Sequence, residues 1–447
     1  MMSLSGLDFV LVGLYFLVLI LIGYFTSRKK DDEEFLIAKR GLGGWSTMMT
    51  TNASKTGSVM MIFTALVFLW GISAIWYFIG MVIGMLIFLP FAMKLKDESA
   101  GRYYTLADYF KYNYGKKAAG FASLITIVVM VGYLVMNLIA GTKIFVFFTA
   151  WPFWICAVIM MFVVLIYLLM GGFKAVAKTD ILQYLAMIFI LAVLALILFQ
   201  GSLVPVSEWN VFRADIGTII GFFIIGLFYP FAAADMWQRV YSAKNKKALR
   251  NGILSSLVVY AIFGFLLALV ALTVKGQFPG IDPDLALIYG FANLLPVGLL
   301  GLAVVLLFAA VMSSIDTYIF TGASAVVQDW FDWDKKKTVR NIRKVIFGLA
   351  VLATILAIVM QDLVVSTYIF VSFIIVLAVC VIATWARKNI KSSTLVSGFF
   401  VGLVGIIGLL SYYLLVVGEV QPVLVIAGLG LTIVGLLIGG IYSWAKK

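Results

Sequence analysis

The chain has 447 residues, 64% of them hydrophobic and 12% charged, with a net charge of +13. That balance excludes a water-soluble globular domain, because such a domain would present a mostly apolar surface to solvent. Histidine is absent, and the two cysteines, Cys156 and Cys380, lie inside apolar runs. A disulfide framework and a Cys/His metal site are therefore excluded, and both thiols read as packing residues.

The apolar residues fall into runs of about 20 or more, enough to cross a ~30 Å hydrocarbon core. Such runs must be helical, since the backbone finds no other hydrogen-bond partner in lipid. Thirteen spans are predicted, over 7–27, 45–70, 72–93, 118–147, 151–170, 179–200, 215–236, 251–274, 296–326, 342–361, 363–386, 393–417 and 421–444. The first, Leu7 to Ser27, has no basic residue before it and Arg28, Lys29 and Lys30 after it, unlike a cleaved signal peptide.

An odd number of spans puts the termini on opposite sides. With the N-terminus outside, 29 of the 33 Lys and Arg residues are cytoplasmic, three (Lys143, Arg213, Lys275) are outside, and Lys55 lies within a span. This asymmetry predicts a multi-pass inner (cell) membrane protein with a cytoplasmic C-terminus. It also accounts for the net positive charge without nucleic acid. The largest polar pieces are 94–117, 239–251 and 328–344, with a short surface helix predicted over Thr105–Tyr112. None is long enough for a soluble domain, so function lies among the spans.

A charge near the centre of a span costs roughly 2.5–3.5 kcal/mol on insertion scales, so polar residues at membrane depth need a reason. The second span opens Thr50-Thr51-Asn52-Ala53-Ser54-Lys55-Thr56-Gly57-Ser58. This is a poor lipid-facing helix and a good place to unwind one, though a small-residue packing seam with a snorkelling Lys55 is the plainer alternative. In the seventh span Gly226, Phe228-Tyr229-Pro230 and Ala232-Ala233-Ala234-Asp235 follow one another; Pro230 removes an amide and kinks the helix. Asp235 there either serves the site or neutralises Arg239.

Two interrupted spans five apart are the sequence pointer to an inverted repeat with a site between its halves. Residues 45–200 would form the first five-helix repeat and 215–386 the second. An extra N-terminal helix (7–27) and two extra C-terminal helices (393–444) would complete one transporter domain over 1–447.

The ninth span carries Ala310, Ser313, Ser314 and Thr317 at i, i+3, i+4 and i+7, hence on one helical face, with Asp316 flanking it. Hydroxyls and a carboxylate in one stripe suit a hard cation such as sodium; plain interhelical hydrogen bonding is the alternative. Asp180 follows the connection Gly171–Thr179 and opens the sixth span, either as a helix cap or as a carboxylate aimed at an ion.

With these residues in view, the chain resembles the sodium:solute symporter family, whose fold is the five-plus-five inverted repeat of LeuT-like transporters. Glu34–Arg40 is similar to the family's loop before its first core helix, and Gly171–Gln183 to its fourth-to-fifth core connection. Gln238-Arg239 with Tyr241-Ser242-Ala243-Lys244 resembles the loop after its sixth core helix, and Ala309–Thr317 through Ser324 to Asp329 its eighth. The resemblance implies a sodium site from the carbonyls of Thr50, Ala53 and Ala310 and the hydroxyls of Ser313 and Ser314. It implies a second ion or proton site at Asp180, Ser313, Asp316 and Thr317. Substrate is expected against Asn52, Ser54 and Thr56, facing Phe228 and Tyr229, with Trp76, Tyr133 and Asn137 as further candidates.

Lys55 departs from the family's pattern. Its ammonium could replace a bound cation, pair with Asp235 or Asp316, or receive an anionic substrate. The expected function is sodium-driven import of a small polar organic solute by alternating access, with Lys55 favouring a carboxylate-bearing one. Sodium is the coupling ion, with no other cofactor and no obligatory protein partner. Alternatives are a proton-coupled or ion-independent carrier in which Lys55 replaces the cation, and a transporter-like solute sensor. An enzyme is not expected, because there is no histidine, metal-ligand pattern or Ser/His pair.

Overall fold

The structure, a computed structural model, describes residues 6–26, 40–99, 102–200, 206–295, 299–331, 338–387, 389–421 and 423–445. Most of the Glu34–Arg40 segment singled out in the sequence lies outside the described residues. The chain is all helical: α1 (Gly6–Thr26), α2 (Gly44–Trp70), α3 (Trp76–Glu98), α4 (Leu106–Tyr114), α5 (Lys116–Thr149), α6 (Phe153–Gln200), α7 (Ile216–Ala232) and α8 (Ala234–Ser242) come first. Then follow α9 (Lys246–Gln277), α10 (Ala286–Leu294), α11 (Leu300–Ala325), α12 (Thr338–Met360), α13 (Leu363–Ala386), α14 (Ser392–Tyr412) and α15 (Val423–Ala445).

Among the described residues eleven helices are long and apolar enough to cross a membrane, or twelve with the bent pair α7–α8 as one span. That number takes Gly44–Glu98 as a single stretch, whereas the sequence reading separates 45–70 from 72–93. A 3-10 turn, Gly71–Ile75, joins α2 to α3. The predicted surface helix is α4, capped by Thr105, whose hydroxyl accepts from Asp108 N–H while the Asp108 carboxylate accepts from Thr105 N–H.

Composition sorts the helices by depth. The apolar windows of α5 and α11 are each 83% buried inside the protein, against 11% for α14 and 22% for α1. The centre is therefore α5 and α11 with the helices packed on them, while α1 and α14 face outward. α2 lies against α6, α9 and α11; α3 lies against α7. The beginning of α2 and the end of α8 are clipped together: Leu42 N–H donates to Ser242 O at 3.0 Å, and Lys244 N–H donates to Leu42 O at 2.8 Å.

The sequence suggests a break at Gly171–Thr179, but the backbone stays helical through it, because Lys174-Ala175-Val176-Ala177-Lys178 are mostly tolerant or good helix formers. Two apolar stretches, Phe153–Met170 and Ala175–Leu198, flank that segment. Tyr167 and Thr179 both donate to Asp316 Oδ2, at 3.0 and 3.3 Å. Their spacing would be ~18 Å along a straight helix, more than two side chains and their hydrogen bonds bridge. α6 is therefore bent between them, where Gly171 and Gly172 sit. Asp180 consequently lies inside a helix and not at its start, and the capping role read from the sequence is excluded.

α3 and α7 approach so closely that a Cβ on Gly80 would strike Phe223 O, one on Gly84 would strike Leu227 O, and one on Gly226 would strike Tyr77 O. Small residues of this kind let helices pack without a hydrophobic driving force in lipid. Gly84→Leu should therefore destabilise the protein by about 1–3 kcal/mol or more, read as a lower thermal midpoint in detergent. Gly408→Leu, where an added Cβ meets open space, should change little. Equal midpoints for the two variants would refute the tight seam.

Candidate functional site

Both helices expected to be interrupted are interrupted. α2 is non-helical at Gly57 (φ −39°, ψ −109°), beside Ser314 and Asn137, whose oxygens a side chain there would strike. The second break lies at Ala233 (φ −73°, ψ 100°), with a 42° bend between α7 and α8. It falls three residues beyond Pro230, which stays inside α7. The indole of Trp237 donates to Phe231 O at 3.0 Å, satisfying a carbonyl near the break.

The freed carbonyls of α2 meet the polar stripe of α11. Ser313 Oγ lies 2.8 Å from Ala53 O and 2.7 Å from Ala310 O. One hydroxyl proton cannot serve two carbonyls at once, so this oxygen cluster is rich in lone pairs and poor in donors. Ser314 Oγ and Tyr318 OH both donate to Ser54 O, each at 2.9 Å. Asn137 Oδ1 accepts from Ser58 N–H at 2.7 Å, tying α5 to the far side of the break. Thr50 is buried one turn before Ala53. Ala53, Ala310 and Ser313 are thus brought together, while Ser314 is turned to the next carbonyl along.

The set expected for a second ion is divided. Arg239, 1% exposed, donates through Nη2 to Asp180 Oδ2 at 3.3 Å and to Thr317 Oγ1 at 3.4 Å. Its Nη1 donates to Asp235 O at 3.1 Å and lies 3.6 Å from Asp235 Oδ2. Asp316 is held instead by Tyr167 and Thr179. The sequence puts Arg239 on a loop, but α8 carries it inward, so a guanidinium already stands between Asp180 and Thr317.

Lys55 is 3% exposed, with Nζ 3.3 Å from Met85 Sδ and 5.7 Å from the centre of the Tyr229 ring. Among the described residues no carboxylate lies within ion-pair distance of it. Asp235 and Asp316, its expected partners, are engaged as above. Met85 belongs to α3 and Tyr229 to α7, so the ammonium lies against those two helices.

Beyond Gly57 a cavity of about 50 Å³ is walled by Ser58, Tyr77, Tyr133, Tyr229, Tyr318 and Tyr368, among others. It has room for a few waters and is far below the ~300–1,000 Å³ of small-molecule pockets. The Tyr133 ring lies tilted against those of Tyr318 and Tyr229, with centroids 4.9 and 5.8 Å away. The hydroxyls of Tyr133 and Tyr368 have no hydrogen-bond partner, although a buried tyrosine normally finds one.

Of the expected substrate residues, Tyr133 and Tyr229 line this cavity. Asn137 braces its edge through Ser58, and Lys55 lies behind the Tyr229 ring. Asn52 sits beside Tyr184 of α6, Thr56 bonds back to Asn52 O and Ala53 O, and Ser54 contributes its carbonyl to α11. Trp76 and Phe228 lie apart from the cavity wall: the Trp76 indole donates to Val211 O at 3.0 Å at the start of α3, and Phe228 is half-buried. Tyr318, Thr367 and Tyr368 complete the wall without having been singled out. Tyr318 was legible, standing one turn after Ser314; Thr367 and Tyr368 sit in an otherwise plain apolar span.

Removing one partner of a buried pair strands the other charge, at about 3–5 kcal/mol. Asp180→Asn and Arg239→Gln should each lower thermal stability sharply, and the double variant should lose far less than the sum. Strict additivity in that cycle would show that the pair carries no coupling.

The model of the sodium:solute symporter family matches residues 35–209 and 205–386. The osmoregulated proline transporter OpuE of Bacillus subtilis (strain 168) is 24% identical over 346 residues, covering 72% of this chain and 70% of that protein. A sodium/proline symporter of Staphylococcus aureus (strain Newman) is 25% identical over 357 residues, covering 72% and 68%. A Na+-coupled sialic acid symporter, solved in a substrate-bound outward-open state, superposes with a TM-score of 0.81 at 17% identity, over 98% of each chain. A nucleobase-cation-symport-1 family transporter in a closed conformation gives 0.59 at 12% identity, over 91% of this chain and 95% of that one. These two structures share its fold. Matched by the family's pattern along most of its length and built as a bundle of membrane-crossing helices, this multi-pass transporter, not an enzyme, belongs to the sodium:solute symporter family.

Proposed function

We propose that the protein imports a small, polar, carboxylate-bearing solute with sodium by alternating access. The observation that carries this reading is the meeting of the broken α2 with α11, where Ser313 converges on Ala53 O and Ala310 O. Sodium binds those oxygens together with Thr50 O and, after a small rotation, Ser314 Oγ. Arg239 already compensates Asp180, which favours one sodium per cycle. Lys55, lying against α3 and α7, does not substitute for the ion.

The solute occupies an enlarged form of the tyrosine-lined cavity, where the unpartnered hydroxyls of Tyr133 and Tyr368 supply polar contacts. Lys55, whose ammonium touches a thioether and an aromatic face and makes no direct ion pair among the described residues, receives the carboxylate once the Tyr229 ring moves aside. The named substrates of relatives, proline and sialic acid, both carry a carboxylate. Thirteen crossings in a five-plus-five inverted repeat accommodate this cycle, with α2 and α7–α8 as the matched broken helices. The basic residues favour the inner membrane, with the N-terminus outside and the C-terminus cytoplasmic.

Uptake into proteoliposomes from a panel of labelled solutes, with an inward sodium gradient, a proton gradient or neither, tests the whole reading. Only the sodium gradient should drive accumulation, with a hyperbolic sodium dependence. Ser313→Ala should raise the sodium concentration for half-maximal uptake at least tenfold, equivalent to ~1.4 kcal/mol. Accumulation driven by protons alone, or unchanged sodium dependence in the variant, would replace this reading with proton-coupled or ion-independent transport.

Lys55→Met keeps the volume and deletes the charge. The variant should lose preference for the carboxylate solute over its amide analogue while still binding sodium. A preserved preference would remove Lys55 from recognition and leave the sodium site untouched.

A further inference from the structure

α12 begins with Arg340, Arg343 and Lys344, spaced i, i+3 and i+4 on one exposed face. The same face continues along the helix as Phe347, Val351 and Ile355, which are 58%, 45% and 54% exposed. Ile342, Ile346, Ala350, Ala353 and Ala357 on the other face are buried in the bundle. Beside the cations, Leu169 and Met170 of α6 and Val339 complete an open groove of about 950 Å³. Among the described residues no carboxylate pairs with Arg340, Arg343 or Lys344.

We propose that this groove binds an anionic phospholipid. Its phosphate lies against Arg340, Arg343 and Lys344, and its acyl chains run along Phe347, Val351 and Ile355. Guanidinium groups match phosphate oxygens two at a time, and basic pockets between membrane helices recognise anionic headgroups. A cluster serving only to fix topology needs no particular geometry. Here the charges sit at the head of a lipid-facing apolar stripe, in a groove between two helices, where a headgroup meets cations and tails meet hydrocarbon-like side chains. The positive groups line one wall; the apolar surface begins within one turn of them.

The experiment uses the full chain, purified in mild detergent and depleted of lipid, then incubated separately with cardiolipin, phosphatidylglycerol, phosphatidylcholine or inorganic phosphate. Retained lipid per protein and the thermal midpoint are read together. Cardiolipin and phosphatidylglycerol should be retained and raise the midpoint; phosphatidylcholine should do neither, and phosphate should leave the midpoint unchanged. In R340Q/R343Q/K344Q retention should fall at least about tenfold, while R340K/R343K, which keeps the charge but loses the paired donors, should fall between that variant and the unaltered protein. Equal retention of phosphatidylcholine by the unaltered protein overturns the proposal whatever the variants do. So does a midpoint shift by phosphate matching that of the lipids, or undiminished retention in the triple glutamine variant.

Discussion

A backbone carbonyl freed by a break at membrane depth has no water to turn to and must be met by the protein. In this chain that constraint falls on Ala53 and Ser54, just before α2 loses its helical geometry at Gly57. α11 answers it with three hydroxyls, those of Ser313, Ser314 and Tyr318. The polar stripe of α11, the absence of a side chain at Gly57 and the burial of α11 in the centre of the bundle are consequences of this one requirement. So is the concentration of oxygen atoms that makes the junction suitable for a small hard cation.

The buried charges are arranged with comparable economy. Asp180, Asp235 and Asp316 face two cations, Lys55 and Arg239, among the fully buried groups of the spans. Arg239 lies against Asp180 and Asp235, and Asp316 is stabilised by the hydroxyls of Tyr167 and Thr179. A guanidinium is suited to this, since its five donors can address several helices at once. Lys55 is the exception, held near a thioether and an aromatic face, and the interaction of an ammonium with that face recovers only part of its lost hydration.

Much of this was legible in the sequence, for identifiable reasons. The broken α2 announced itself by composition, because eight of the nine residues Thr50–Ser58 are polar or glycine in an otherwise apolar span. The α11 stripe announced itself by period. What could not be read depended on tertiary direction. Arg239 reads as a loop residue until α8 turns inward; Gly171-Gly172 reads as a helix end until α6 is seen to bend without unravelling. Trp76 reads as a site aromatic although its indole is bound to Val211 O. The cavity wall from α13 was silent, since Thr367 and Tyr368 differ little from polar residues that simply bond within their own helix.

The bend in α6 has a mechanical meaning. Its two arms grip a single oxygen of Asp316, one through Tyr167 and the other through Thr179, so that carboxylate works as a tether across the elbow. The elbow is thus pinned to α11 at one carboxylate oxygen by two hydrogen bonds, one from each of its arms, so the angle between the arms is set by a residue of a third helix segment rather than by α6 alone.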